Sequence, residues 1–386
     1  MTSPRPPTAH TANFPSNSGG SPSGWRAPFP YHGGMERSRR SGFVLITSAA
    51  AMIGLLLLVG LGMDAGRLFV AREELQVFAD EAAIAAALEL DGTAAGLTRA
   101  RDAAATGPGS GATLNHWNFG TALPATVTVA FSDVPHGVFD SNPATAAGLR
   151  FLRVSVTASV SLYFLPLVPG IGHSQTASAS SVAGQNPRNS MGDGLAPFSP
   201  VAHDSAGTDF GFTRGLQYTL RWAPGGQRDK PGGSCPGDIG WDPGGSDERG
   251  YIDVGQGTGS SALRSAVVNN NFFLLSALHV GSPITMYSGQ DSVTSSMDAR
   301  YAQDTDVTAL TFANYSGNGR RLLSVAVNDG AGSPAVVGFG LFFLPPVPCG
   351  TKNTTPCCAE YVGPAVIGSS HKGAGPAGLY AVQLIE

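Results

Sequence analysis

The chain has 386 residues, of which 13% are charged, and its formal net charge is −4. At about 150 residues per compact unit, this length allows two or three such units. The chain lacks the basic excess that a general nucleic-acid binder needs, so its composition predicts no nucleic-acid partner.

The first forty residues form a segment of biased composition. Seven prolines stand among Ser, Gly and Thr, and aliphatic side chains are scarce. Such a segment cannot bury enough apolar surface to offset the entropy that it would lose on ordering. We therefore predict that residues 1–40 are a disordered cytoplasmic tail, with an extra-long signal peptide as the alternative.

The next segment carries no charged side chain from Gly42 to Met63. At about 1.5 Å per residue, its twenty-two residues make about 33 Å of helix, which matches a hydrocarbon core of about 30 Å. The sequence thus predicts a single transmembrane helix over residues 41–63. A buried helix of a soluble protein is the alternative, but such helices seldom run this long without a polar face.

The arginines beside this span indicate its direction. Arg37, Arg39 and Arg40 precede the span, whereas Arg67 and Arg72 after it are mixed with acidic residues. Basic residues next to a span favour the cytoplasmic side of the membrane. We expect a single-pass protein of the inner (cytoplasmic) membrane, with its N-terminus in the cytoplasm and its C-terminal region periplasmic or extracellular.

Residues 64–92 indicate that the helix continues beyond the membrane. The segment has no proline and is rich in Ala, Leu, Glu and Arg, which are strong helix formers. Its small and apolar side chains recur at spacings of three and four residues, and Asp91 with Gly92 supplies a stop signal. The apolar face has two interpretations: packing on the outer region of the same chain, or packing on a partner helix or a second copy of the chain.

Nine residues of this segment form a pattern, D-x-G-R followed by L-Q-x-x-A-D-x-A-A: Asp64, Gly66, Arg67, Leu75, Gln76, Ala79, Asp80, Ala82 and Ala83. Together with the arginines and the apolar span before it, the pattern resembles the N-terminal segment of the TadG-like and TadE-like proteins of bacterial Flp (tight adherence) pilus systems. The resemblance implies a structural role in assembling or anchoring an adhesive pilus. It also implies the membrane and other pilus-assembly or pilin-like proteins as partners, with self-association through the helix as a further option.

One residue departs from the pilin pattern of such systems. Their pseudopilins carry a glutamate five residues after the cleavage-site glycine, whereas Thr47 stands five residues after Gly42. We therefore expect that a prepilin peptidase does not process this chain and that the span is retained as an anchor.

The region beyond the helix indicates β structure. Within residues 93–184, the segments Ala125–Phe131 and Phe151–Phe164 alternate apolar with polar residues and are rich in Val and Thr, which predicts half-buried strands. Thr176–Gly184 is a third and less apolar candidate. We expect a small α+β or β unit that packs on the helix, followed by a linker at residues 185–194.

The last part of the chain, residues 195–386, indicates a second and mostly β domain. Short apolar runs alternate there with Gly, Pro and Asp, and a short helix is expected within Ser260–Leu278. The strand-like runs are Leu216–Trp222, Arg321–Val327, Val336–Leu344 and Gly378–Ile385. The order of these segments resembles, more loosely, the C-terminal part of some TadE/TadG-like proteins. The predicted fold class of the whole chain is α+β.

Four cysteines, Cys235, Cys349, Cys357 and Cys358, all fall in the predicted outer region, where oxidation is permitted. The adjacent pair is not expected to bond to itself, because the ring would strain the intervening peptide. We predict that Cys349 bonds to one member of that pair and Cys235 to the other. A zinc site is the alternative, although the cysteines lack the usual C-x2-4-C spacing.

No group of residues in the sequence predicts catalysis. The acidic stretch from Asp238 to Asp253 could bind calcium, but its spacing is not that of an EF-hand, so a solvated loop is the simpler interpretation. Gly255–Gly259 lacks the Lys-Ser/Thr of a phosphate loop, and there is no G-x-S-x-G elbow. We name no catalytic, cofactor or metal residue and expect a protein that is not an enzyme. A generic anchored adhesion or interaction protein and an anchored periplasmic hydrolase remain as alternatives to the pilus role.

Overall fold

The structure is a computed structural model that describes residues 40–106, 125–223, 231–241, 250–255, 257, 259–269, 273–287, 294–330, 332–349 and 355–385. The chain divides into two compact units, Met1–Leu56 and Leu57–Glu386. The predicted tail, apart from Arg40, lies outside the described residues.

Helix α1 runs from Arg40 to Leu88. Its N-terminal part is the described portion of the first unit, where the residues from Phe43 to Leu56 are all exposed. The segment Phe43–Leu88 is long and apolar enough to cross a membrane, and its most apolar window of 18 residues has a mean hydropathy of 2.5. An apolar helix of this kind near the N-terminus fits a single-pass membrane anchor.

Helix α1 ends at Leu88, before the predicted end at Gly92. The amide Nε2 of Gln185 donates a hydrogen bond of 3.0 Å to the carbonyl oxygen of Ala87, one of the carbonyls that the helix end leaves without an internal partner. Gly92 then adopts a φ of +78°, and the chain enters helix α2 (Ala94–Thr106). The helix end is therefore fixed partly by a side chain that is distant in sequence.

A five-stranded sheet packs against the C-terminal half of α1. Its strands are β1 (Ala125–Ser132), β2 (Phe151–Ser161), β3 (Ser174–Arg188), β12 (Ala365–Val366) and β13 (Leu379–Ile385), in the order β1-β2-β3-β13-β12. Neighbouring strands are antiparallel except for the parallel pair of β12 and β13. Along β2, buried residues such as Val154 and Val156 alternate with more exposed ones such as Arg153 and Thr157, so one face of the strand meets the core.

A second sheet has four antiparallel strands. They are β5 (Gln217–Arg221), β11 (Cys357–Gly363), β10 (Val336–Phe343) and β9 (Leu322–Asn328), in that order across the sheet. Its core contains several aromatic side chains, and the rings of Phe342 and Tyr361 lie 5.2 Å apart. Two strand pairs accompany it, β4 (Ser190–Asp193) with β7 (Phe273–His279) and β6 (Tyr251–Ile252) with β8 (Met286–Tyr287), together with helices α3 (Ser260–Asn269) and α4 (Thr294–Tyr301).

The predicted α+β class is confirmed. Besides the end of α1, two segments differ from the sequence-based expectation. Strand β2 ends at Ser161 rather than at Phe164, because the backbone N–H groups of Tyr163 and Phe164 bond to a side chain of α1. Residues 185–194, expected to be a linker, lie mostly in the end of β3 and in β4.

The reason for the second difference is a long-range strand pairing. Strand β13 pairs with β3 from Leu379 opposite Arg188 to Ile385 opposite Val182. Pro187 and its polar neighbours indicated a linker, but β13 gives them a hydrogen-bonding neighbour and draws them into the sheet. The C-terminal strand and the first sheet therefore belong to one unit.

Candidate functional site

The nine motif residues all lie on the part of α1 that belongs to the second unit. Their positions differ in burial. Asp64, Leu75, Ala79, Ala82 and Ala83 are fully buried, Arg67, Gln76 and Asp80 are half-buried, and Gly66 is exposed.

The small side chains of α1 form an alanine face, which we define as Ala71, Leu75, Ala79, Ala82, Ala83 and Ala86. All six are fully buried and share one core cluster with residues of β1, β2 and β3. Small side chains let a helix backbone approach a sheet closely, which explains why alanine dominates this face. In the structure, the alanine face packs on the outer region of the same chain, which is the first of its two interpretations.

The polar motif residues fasten α1 to the same sheet. Gln76 Nε2 donates to the Asp80 carboxylate at 2.8 Å, four residues along the helix. The same amide group donates to the carbonyl oxygen of Ser180 in β3 at 3.3 Å. Asp80 therefore holds the Gln76 amide in place for a contact with the sheet.

Asp64 follows directly after the predicted span and is fully buried. Its carboxylate accepts hydrogen bonds from the backbone N–H groups of Tyr163 at 3.0 Å, Phe164 at 2.8 Å and Leu165 at 2.7 Å. These residues begin the connection between β2 and β3, which we call the hairpin loop (residues 162–173). Backbone donors need acceptors when they leave water, and an ionised carboxylate is a strong acceptor.

Two further residues on the same side of α1, Gly60 and Arg67, also contact the hairpin loop. The guanidinium carbon of Arg67 lies 4.2 Å from the centroid of the Tyr163 ring, a cation–π contact. Gly60 lies against Phe164, because an added Cβ at residue 60 would be 2.5 Å from the ring atom Cγ. Gly60, Asp64 and Arg67 follow one another at spacings of four and three residues, which places them on one helix face.

The sequence motif includes Asp64 and Arg67 but neither Gly60 nor the hairpin loop. The available signal was the spacing of the three helix residues. A second signal was the apolar run from Tyr163 to Val168, at a place where a hairpin connection ordinarily carries polar turn residues. The alternation that precedes this run predicts a strand that continues to Phe164.

The C-terminal end of α1 has its own ionic contacts. Glu89 contacts His371 Nε2 and Arg99 Nε, each at 3.0 Å, and Arg99 also contacts Asp91 at 2.8 Å. The hydrogen bond from His371, with the nearby charges of His371 and Arg99, lowers the pKa of the Glu89 carboxyl. These contacts tie the helix end to α2 and to the C-terminal segment.

The four cysteines form two disulfides, Cys235 with Cys358 and Cys349 with Cys357. Cys357 and Cys358 are adjacent in β11, so the two bridges hold separate segments against the same strand. This is one of the two pairings that the sequence left open.

Of the two acidic residues that the structure describes in the stretch expected to be a solvated loop, Asp253 is exposed and Asp238 is buried. Asp238 accepts a hydrogen bond of 2.6 Å from the backbone N–H of Thr219 and contacts His203 Nε2 at 2.8 Å. The other side of His203 faces Trp241, with ring centroids 4.5 Å apart. Residues 242–249 lie outside the described residues, and the residues that are described contain no group of three or more His, Cys, Asp or Glu able to hold a metal ion.

Helix α1 lies in the part of the chain that resembles a known family. Residues 42–89 match the family described as Flp pilus-assembly TadE/G-like (Tad), which confirms the resemblance over the N-terminal segment. The match covers the apolar span and the rest of α1. It supports a role in pilus assembly. Neither a curated protein nor a solved structure gives a significant match to the chain.

Proposed function

We propose that the protein is a membrane-anchored structural component of a Flp-type pilus assembly system that acts through protein contacts in the cell envelope. The observation that carries the proposal is the family match over residues 42–89, which falls on a helix able to cross a membrane. Arg37, Arg39 and Arg40 favour an N-terminus in the cytoplasm. The two disulfides support a C-terminal region outside it, because disulfides persist in oxidising compartments.

The surface of α1 that is open to a partner lies opposite the alanine face. This surface includes an exposed stripe, which we define as Val70, Val77 and Ile84, at seven-residue spacing. The three residues are 41%, 57% and 38% exposed, in that order. Seven-residue spacing brings apolar side chains to one side of a helix, the arrangement by which helices pack on one another. Pilin-like proteins of the same system, or a second copy of this chain, would contact this exposed stripe.

The proposal is tested by complementation of a strain that lacks the chain. The Val77→Glu/Ile84→Glu double variant should insert into the membrane at the wild-type level but fail to restore pili and surface adherence, because it places charges on the exposed stripe. The matched control is Val138→Glu, since Val138 is 92% exposed and lies in the connection between β1 and β2. It should behave as the wild type.

Two results would count against the proposal. If a strain lacking the chain forms pili and adheres normally, the protein has no part in pilus assembly. If neighbouring genes encode no pilus secretion ATPase and no prepilin peptidase, a generic anchored adhesion protein becomes the better interpretation. An unaffected double variant would leave the pilus role standing and move the contact surface elsewhere.

A further inference from the structure

The hairpin loop has an unusual composition for a surface connection. Residues 162–172 contain no charged side chain, although loops at protein surfaces ordinarily carry polar turn residues. Several of its large apolar side chains are exposed to a substantial degree: Tyr163 at 57%, Phe164 at 37%, Leu167 at 67%, Val168 at 45% and Ile171 at 38%. Exposed apolar side chains gathered in one short segment mark a surface that meets another apolar phase.

The contacts of the hairpin loop with α1 fix where this surface lies. Asp64 accepts the N–H groups of residues 163–165 and directly follows Met63, the last residue of the predicted span. Phe164 lies against Gly60, which is three residues inside that end of the span. At a rise of 1.5 Å per residue, Phe164 therefore reaches about 4.5 Å past Met63 along the helix, toward the membrane interior.

The backbone of the hairpin loop is suited to that position. A chain segment that enters the bilayer surface loses the water that would satisfy its N–H groups, and each unsatisfied group is costly there. The Asp64 carboxylate supplies acceptors to three of these groups, those of residues 163–165. Arg67 stacks on Tyr163, and such an amphipathic pair suits the headgroup level, where aromatic and basic side chains gather.

We infer that the hairpin loop is a second membrane contact: it inserts its apolar side chains into the interfacial layer of the leaflet in which the transmembrane helix ends. The occupant of this apolar surface is the lipid bilayer that holds the span, because the loop is continuous with the span through Gly60 and Asp64. The inference rests on the membrane anchoring in the proposed function and is independent of the pilus role. The loop would fix the rotation and tilt of the outer sheet on the membrane.

The test is a depth measurement on the full chain in phospholipid vesicles that contain nitroxide-labelled lipids. An environment-sensitive fluorophore is attached to a single added cysteine in each of three variants, Leu167→Cys, Val138→Cys and Ile53→Cys. Val138 is the matched control, because it is also highly exposed but belongs to the connection at the opposite end of β2. Ile53 is the anchoring control, because it lies within the span.

The fluorophore on Leu167→Cys should shift its emission to the blue and be quenched by nitroxides near the headgroups, and the one on Val138→Cys should show neither effect. Equal and weak quenching of the Leu167→Cys and Val138→Cys fluorophores, with strong quenching on Ile53→Cys, would overturn the inference while leaving the anchor intact. If the fluorophore on Ile53→Cys is not quenched, the anchoring itself fails and the inference falls with it.

Discussion

The carboxylate of Asp64 accepts a hydrogen bond of 2.7 Å from the backbone N–H of Leu165, across 101 residues of sequence. The same carboxylate accepts from the two preceding N–H groups, so one side chain at the end of the span fixes the start of the hairpin loop. A carboxylate at this position thus links the membrane helix to the sheet that follows it. The acid directly after the span therefore has a structural role in this chain.

Replacing Asp64 with Ala should release the hairpin loop. Leaving a buried donor without its acceptor costs about 1 to 3 kcal/mol, so the segment around residues 163–165 should open more often. Hydrogen–deuterium exchange of the full chain in detergent should show faster exchange of these amides. The control is Glu73→Ala, which removes an exposed carboxylate from the same helix. Unchanged protection of residues 163–165 in Asp64→Ala would contradict the role given to this carboxylate.

Replacing Ala82 or Ala83 with Leu should destabilise the outer region. Both residues are fully buried against the first sheet, and overpacking a core typically costs about 1 to 3 kcal/mol. Denaturant unfolding in detergent should show the loss. The exposed Val77→Leu should stay within about 0.5 kcal/mol of the wild type.

Adherence should fall in the two alanine variants through loss of the fold, with membrane insertion intact because the span is untouched. If both variants are as stable as the parent, the alanine face is not tightly packed. These variants test the fold rather than a partner contact, and for that reason the assembly test uses the exposed stripe.

Much of the secondary structure follows from local sequence signals. Helix α1 could be predicted because an uncharged span runs into a segment of strong helix formers. Strand β1 could be predicted from its alternation of apolar with polar residues, and strands β9 and β10 from short apolar runs rich in Val, Phe and Leu. The structural features that local signals did not predict depend on partners that are far away in sequence. Residues 185–188 lie in strand β3 and pair there with β13, which is almost two hundred residues away in sequence.

The candidate site, too, could be predicted only in part from the sequence. The alanine face follows from the three-and-four spacing, but whether a sheet or a partner covers it depends on the tertiary fold. The hairpin loop could not be predicted, because an apolar run that follows an alternating strand indicates that the strand continues. Only the positions of Gly60 and Asp64 beside the run explain its different conformation.

The disulfide pairing can be tested one bridge at a time. Cys357→Ser should leave Cys349 as the one new free thiol, and Cys358→Ser should free Cys235 instead. Alkylation without reduction, followed by peptide mass spectrometry, identifies the free thiol in each variant. Recovery of the opposite thiol would mean that the pairing is exchanged, and four free thiols in the wild type from its native envelope would exclude both bridges.

The two bridges should also differ in their effect on stability. The bridge from Cys235 spans 123 residues and that from Cys349 spans 8. By chain entropy alone, their loss should cost about 5 and about 2.5 kcal/mol, because the longer loop restricts the unfolded chain more. Unfolding of the Cys235→Ser/Cys358→Ser and Cys349→Ser/Cys357→Ser pairs should give the larger loss for the first. The opposite order would show that native contacts outweigh chain entropy here.

Acid should weaken the contacts at the C-terminal end of α1. Because the pKa of Glu89 is lower in the folded chain than in the unfolded chain, the folded state binds fewer protons at this site. The stabilisation is complete above the unfolded value of about 4.3 and is lost as the pH falls through the folded pKa. Unfolding midpoints measured from about pH 6 to pH 3 should fall further for the wild type than for Glu89→Gln. Parallel curves for the two proteins would mean that Glu89 makes no such contribution.

The direction of the span can be tested with fusions to alkaline phosphatase, which is active only after export. Arg37, Arg39 and Arg40 stand before the span, and basic residues at this position hold a segment in the cytoplasm. A phosphatase fused after Glu386 should therefore be active, and one fused before Met1 should be inactive. A green fluorescent protein at each end gives the matched control, because it fluoresces after folding in the cytoplasm and stays dark when exported unfolded. Activity of the phosphatase only at the N-terminal end would reverse the topology, and it would also remove the oxidising compartment that the two disulfides require.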